Sequence, residues 1–172
     1  MRGHIILSHG SDSGPDATKV SALAALAESQ GWTTVRPDYR EDDALGYAGS
    51  IDPRLAQLAR AIAASPTPPV LVGSSMGAFV SGLASLDTPV AGLFLLALPT
   101  KIPGYPREFS MRAGVPSFLV HGYADDVCPL DEALAFTRDH AIPALLVQDD
   151  HRLGATLPDI EAEFLRFLGN LA

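Results

Sequence analysis

Cysteine is almost missing from this chain of 172 residues, where Cys128 stands alone. A single thiol excludes a disulfide framework and any zinc site built on cysteines. Basic residues are scarce as well. Twelve Lys and Arg against twenty Asp and Glu leave a net charge of −8, and no stretch gathers the positive residues into a run. Nucleic acid and anionic membrane are therefore set aside as partners. No apolar stretch approaches the roughly 20 residues of a membrane span. The run Ile5-Ile6-Leu7 behind Met1-Arg2-Gly3-His4 is too short for the apolar core of a signal peptide. Internal repeats and low-complexity segments are also absent. A cytoplasmic enzyme or binding protein is the expectation that remains.

What is present is enough apolar material for a sizeable core. Hydrophobic residues make up 47% of the chain, and its length suits a single domain over residues 1–172. The acidity is most simply a solubility feature.

One turn organises the rest. Val70-Leu71-Val72 is a short β-prone run that stops at Gly73, and a stretch of helical composition starts just after Ser75. Gly73-Ser74-Ser75-Met76-Gly77 is thus Gly-x-Ser-x-Gly between a strand and a helix, the context of a nucleophile elbow. Side chains two positions either side of the nucleophile would collide with neighbouring backbone, and glycine, lacking Cβ, removes the collision. The turn pushes Ser75 out at a strand end above a helix N-terminus with its free N–H groups.

Around this turn, strands and helices alternate. Strands are expected at His4–Leu7, Thr33–Val35 with an extension towards Tyr39, Val70–Val72, Val90–Leu98, Ser117–His121 and Ala144–Gln148. A helix follows the Gly/Ser loop Ser8–Pro15, with Ser13 and Asp16 spaced as a capping box and Val20, Leu23, Ala24 and Ala27 on one stripe. Gly31 suits its C-terminal end. Arg40–Ser50 is polar and expected as loop. Asp52-Pro53 is spaced as a helix start, with Leu55, Leu58, Ala59 and Ile62 as its apolar stripe. Further helices are expected over Met76–Leu86, Leu130–Asp139 and from Pro158, the last burying Ile160, Phe164, Phe167 and Leu168. Such alternation predicts a three-layer α/β/α sandwich with a mostly parallel sheet of about six strands. Val90–Leu98, apolar throughout, belongs in its middle. Chemistry in such sheets gathers at the C-terminal strand ends. There the sequence places His9–Ser13, Ser75, Asp125/Asp126 and Asp149–His151.

A serine hydroxyl needs a base to attack, and a neutral imidazole backed by a carboxylate suits the task. Of the histidines after the elbow, His140 ends a helix and His121 ends a strand before glycine, where a structural part suits it. His151 lies in the polar loop Gln148–Gly154 before the last helix, where a general base would stand. His121-Gly122-Tyr123-Ala124-Asp125-Asp126-Val127-Cys128-Pro129 offers two adjacent carboxylates, and the order Ser75, Asp125, His151 is Ser…Asp…His.

Three stretches carry a resemblance to the α/β-hydrolase family, which covers nearly the whole chain: Leu7-Ser8-His9-Gly10, Gly73-Ser74-Ser75-Met76-Gly77 and the His121–Pro129 segment. The last resembles the acid loop of the family, which singles out Asp125 over Asp126. The resemblance also implies an oxyanion hole from the backbone N–H groups of Met76 and Ser11, with Asp12 as the alternative to Ser11. Such a donor is worth about 3–4 kcal/mol of barrier. It implies a serine hydrolase acting on a small-molecule carboxylic ester or thioester through an acyl-enzyme, without cofactor or metal. A catalytically silent scaffold that binds a small molecule or protein is the rival. The antiparallel strands that often precede the first strand are not expected, and Pro99–Pro116 is too short for a cap domain. Leu98, Ile102, Tyr105, Phe109 and Met111 either form a low apolar wall at the site or seal one end of the sheet.

Remaining features receive plainer readings. Cys128 is structural, and His9 shapes the oxyanion loop. Asp149 and Asp150 are solvated loop residues. No His-x-x-His or carboxylate spacing supports a metal site from His4, His9 and His151. Gly10–Gly14 lacks the lysine of a phosphate-binding loop and the glycine spacing of a dinucleotide fold.

Overall fold

Six short aliphatic runs form strands in the computed structural model of the protein, which describes residues 2–171. They are β1 (His4–Ser8), β2 (Thr33–Val35), β3 (Val70–Ser74), β4 (Gly92–Leu96), β5 (Ser117–Gly122) and β6 (Ala144–Val147). The six lie in the order β2-β1-β3-β4-β5-β6, and every pairing is parallel. Between and after them come α1 (Thr18–Ser29), α2 (Arg40–Asp43), α3 (Gly46–Ala63), α4 (Met76–Asp87), α5 (Leu130–Asp139) and α6 (Leu157–Asn170). Successive side chains of a strand point to opposite faces, and the two faces carry separate cores. Ile5, Leu7, Val70, Val72, Phe94, Leu96 and Val120 meet α1 and α6. Ile6, Leu71, Leu93, Leu95 and Leu119 meet α3, α4 and α5. This is the expected three-layer sandwich, with β3 and β4 buried along their whole length.

Strand order positions the site. The chain moves outward from β1 to the edge strand β2, then returns past β1 to β3 and proceeds to β6. The reversal leaves β1 and β3 as neighbours whose connections depart in opposite directions, the topological position at which such sheets place their ligand sites. Ser8 pairs with Gly73 at that end, so the Gly/Ser loop and the elbow stand side by side.

Several local expectations are corrected. α1 begins at Thr18 with Ala17 at its N-cap and no side-chain cap, so Ser13 and Asp16 form no capping box. The Ser8–Pro15 loop is instead folded into turns by bonds such as Ala17 N–H to Gly14 O at 3.0 Å. β2 ends at Val35, which is 41% exposed. Residues 40–43 and 46–50 are helical, and Asp52-Pro53 does not start a helix. α3 runs from Gly46 straight through Pro53. Proline there removes one hydrogen bond and crowds the preceding turn, but burial of Ile51, Arg54, Leu58 and Ile62 on one face outweighs that loss. The stripe is shifted accordingly, with Arg54 inside it and Ala59 exposed.

Residues 99–116 are irregular and form no cap domain. Leu98, Ile102 and Phe109 are buried in the second core, with Tyr105 and Met111 packed against it. Phe109 meets Phe79 and Phe136, and Tyr105 OH donates to Asp52 Oδ1 at 2.8 Å. These residues seal the helical face. Among the described residues no helix is long and apolar enough to cross a membrane.

Candidate active site

The elbow owes its shape to two steric exclusions. Ser75 has φ +54° and ψ −117°, a left-handed conformation that costs a non-glycine residue about 1–3 kcal/mol. Its neighbours enforce it. A Cβ on Gly73 would lie 2.3 Å from Gly77 O, and one on Gly77 would lie 2.0 Å from Ser8 O. Either contact is impossible without moving backbone, so both glycines are required where the elbow crosses β1. Ser75 N–H donates to Leu96 O at 2.9 Å, and Ser75 O accepts from Ala78 and Phe79 N–H at 2.9 and 3.1 Å. Those bonds start α4, leaving Met76 N–H at the first helical position without an intrahelical partner.

Three side chains distant in sequence meet above this turn. His151 Nε2 is 3.1 Å from Ser75 Oγ, and His151 Nδ1 is 3.0 and 2.9 Å from the two Asp125 oxygens. A carboxylate only accepts, so Nδ1 carries the proton and Nε2 is left to accept from the serine hydroxyl. The Asp125 side chain is fully buried, and the His151 side chain is 21% exposed. Burial pushes the Asp125 carboxyl upward. Hydrogen bonds from His151 and from the N–H groups of Cys128 and Val127 outweigh it and hold the carboxyl below the ordinary carboxylate value. Asp126 is exposed.

Backbone contacts place the two loops that carry this pair. A Cβ on Gly122 would lie 2.4 Å from Asp149 O, so the loop after β6 presses against the end of β5. Ala124 N–H donates to Asp149 O at 3.0 Å, and Lys19 Nζ donates to Arg152 O at 2.5 Å. Asp149 and Asp150 have structural work here. Asp149 Oδ2 accepts from Thr156 N–H and Oγ1, and Asp150 Oδ1 accepts from Arg152 N–H. His121 is buried, and since a carbonyl only accepts, its Nε2 donates to Cys128 O at 3.0 Å. The Cys128 thiol is pushed up to about 12, chiefly by burial. Asp125, Cys128 and His151 present possible ligand atoms within 4.8 Å of one another. The carboxylate is already engaged by His151 and two amides, and the thiol is held neutral.

The loop after β1 passes directly over the elbow, where a Cβ on Gly10 would lie 3.4 Å from Ser75 Cβ. His9 is buried, with Nδ1 donating to Gly10 O at 2.7 Å and Nε2 accepting from Tyr39 N–H at 3.0 Å. Burial lowers its pKa below 6.5, in keeping with a ring that both donates and accepts. Arg54 completes this layer, and sequence reasoning missed it. Its side chain is wholly buried. It donates to His9 O at 2.7 Å, to Gly10 O at 3.1 Å and to both Asp43 oxygens at 2.7 and 2.6 Å. Its guanidinium lies 4.6 Å from the centre of the Tyr39 ring. The signal was an arginine between Ile51 and Leu58 at helical spacing, a charge on an apolar stripe. Asp12 has φ +55° and accepts from Tyr47 OH at 3.0 Å.

The profile of the alpha/beta hydrolase family matches residues 5–169. A protein of the alpha/beta hydrolase superfamily from Xanthomonas campestris pv. campestris is 40% identical over 98% of both chains, with a TM-score of 0.92. The chain belongs to the alpha/beta hydrolase family. An alpha-beta serine hydrolase homologue from Coxiella burnetii is 23% identical, with a TM-score of 0.75, and the match covers 100% of this chain and 86% of that one. A serine hydrolase without a lid, from Xanthomonas campestris, is 17% identical with a TM-score of 0.73, covering 96% of this chain and 81% of that one. These two share the fold. No curated protein matches the chain. In this family member, a cavity of about 820 Å³ lies between Met111–Phe118, Asp139–Pro143 and the end of α6. It opens at the N-terminal ends of β5 and β6, the edge opposite Ser75.

Proposed function

We propose that the protein is a serine hydrolase that cleaves a small-molecule carboxylic ester or thioester through an acyl-enzyme, with Ser75 as nucleophile, His151 as base and Asp125 as its orienting acid. The observation that carries this reading is the continuous path Ser75 Oγ, His151 Nε2, His151 Nδ1, Asp125, with steps of 3.1 and 2.9 Å. As Ser75 Oγ attacks the carbonyl carbon, its proton passes to Nε2, and the buried carboxylate stabilises the imidazolium. The carbonyl oxygen gains charge and is held by the N–H groups of Met76 and Ser11. Collapse of the intermediate breaks the bond to the alcohol or thiol, which leaves with the proton from Nε2. Water then attacks the acyl-serine, giving its proton to Nε2, and the second collapse releases the acid and restores the hydroxyl.

The deciding experiment is labelling with a fluorophosphonate. Wild-type protein forms a covalent adduct and Ser75→Ala forms none. Turnover of p-nitrophenyl esters falls by on the order of 10⁴-fold or more in the variant. A wild type without a Ser75-dependent adduct rejects the reading in favour of a silent binding scaffold. A chain-length series of p-nitrophenyl esters and thioesters then identifies the preferred acyl group and leaving atom.

A further inference from the structure

Among the described residues, Arg54 is the one Lys or Arg that is buried. It belongs to α3, which contributes none of the three groups proposed for chemistry. Taking a guanidinium out of water is costly unless each donor finds an acceptor, and here the acceptors are informative. Two are the Asp43 oxygens. The others are the carbonyls of His9 and Gly10, consecutive peptide units of the loop above the elbow. Gly10 O also accepts from His9 Nδ1 at 2.7 Å, so this one carbonyl is held by two donors.

Peptide planarity carries the consequence. Gly10 C=O and Ser11 N–H belong to one trans peptide unit, in which the two bonds point in opposite directions. Drawing the carbonyl towards Arg54 and His9 turns the Ser11 N–H away from them. The same peptide begins at Gly10, which is in near contact with Ser75. We infer that Arg54 is a positioning residue for the oxyanion hole: by holding the His9 and Gly10 carbonyls, it aims Ser11 N–H at the acyl oxygen bound over Ser75. A charged donor on the carbonyl also polarises the peptide and strengthens its N–H as a donor. This assigns the second amide to residue 11 rather than Asp12. Asp43 fixes the guanidinium from behind in a two-point pair, and the Tyr39 ring holds its face. A lysine cannot reproduce this, because an ammonium lacks the planar fork that reaches carboxylate and carbonyls together.

The inference rests on the serine-hydrolase reading and is tested on the full chain with Arg54→Met and Arg54→Lys. Fold is checked by circular dichroism and thermal midpoint, function by kcat and KM for p-nitrophenyl acetate and by inhibition with phenylboronic acid, which forms a tetrahedral adduct on an active serine. Arg54→Met is expected to lower kcat about 10²-fold, the typical cost of one oxyanion donor, with KM changed less than threefold. Its boronate inhibition constant rises in parallel, while the pH dependence of kcat/KM keeps its wild-type midpoint. Arg54→Lys falls between the two. If Arg54→Met does not fold, Arg54→Lys carries the same comparison with the charge retained. An active wild type whose folded Arg54 variants keep kcat overturns the inference alone, as does a loss of kcat without weaker boronate binding. A wild type that forms no Ser75 adduct overturns the hydrolase reading and this inference with it.

Discussion

His9 and His151 carry their proton on the same ring nitrogen and use it differently. In His151 it faces a carboxylate, so protonating the other nitrogen gives an ion pair. In His9 it faces Gly10 O, and Nε2 must stay bare to accept from Tyr39. A second proton on His9 would break that bond and bury a cation beside Arg54. Because its folded pKa lies below the unfolded 6.5, the unfolded chain binds more protons in this window. Stability contributed by His9 is therefore complete above pH 6.5 and is lost as pH falls through the folded pKa. The urea midpoint of wild type is expected to drop between pH 7 and pH 5, and that of His9→Gln to drop less. Equal slopes in the two proteins would refute this. At this scale the sequence was informative where polar side chains follow a strand end, since the three it singled out there do meet. Ser75 directly follows the legible strand β3, and Asp125 and His151 stand in the loops just past β5 and β6. Arg54 was hidden because its meaning depends on carbonyls more than 40 positions away, and backbone acceptors have no signature in a list of side chains.

Among the elements, the elbow was the most legible, because its glycines are a steric requirement that any sequence must meet. Gly77→Ala places a Cβ 2.0 Å from Ser8 O and 2.6 Å from Ser8 C, two backbone atoms of the buried strand β1 that cannot yield. We expect a loss of about 4 kcal/mol or more, the range of exceptional substitutions, seen as insoluble protein or a collapsed denaturant midpoint. Gly82→Ala meets chiefly the ring of Phe109 at 2.1 Å, a side chain that can turn, and should cost less. A Gly77→Ala variant with wild-type stability would contradict this account of the turn. The start of α3 was the least legible element. Asp-Pro is a sound local signal for a helix start, but tertiary burial of Ile51 and Arg54 carries the helix back through it to Gly46. The missing cap of α1 has the same origin, since the Gly/Ser loop there serves the elbow instead of the helix.

For the whole molecule, the sheet divides the interior in two, and Phe94 is the central ring of one half. It stacks on Phe118 with centroids 5.8 Å apart and meets Phe164 and Phe167 at 5.0 and 5.5 Å. Phe94→Ala should cost about 3–5 kcal/mol, a fall of roughly 10 °C in thermal midpoint for a chain of this size, read by calorimetry. A shift under roughly 2 °C would show that the ring cluster does not bind α6 to the sheet. This layering was readable from alternation and composition, as was the shortness of residues 99–116. Which face those residues cover was not, because an apolar side chain suits a wall or a core equally. They cover α4. With that stretch committed to roofing the interior, little polypeptide remains to enclose a molecule at Ser75, so it would keep its far end in water. Under the proposed reaction, discrimination among acyl donors would then rest on the few atoms nearest the scissile carbonyl, and bulk attached further out would be met with indifference.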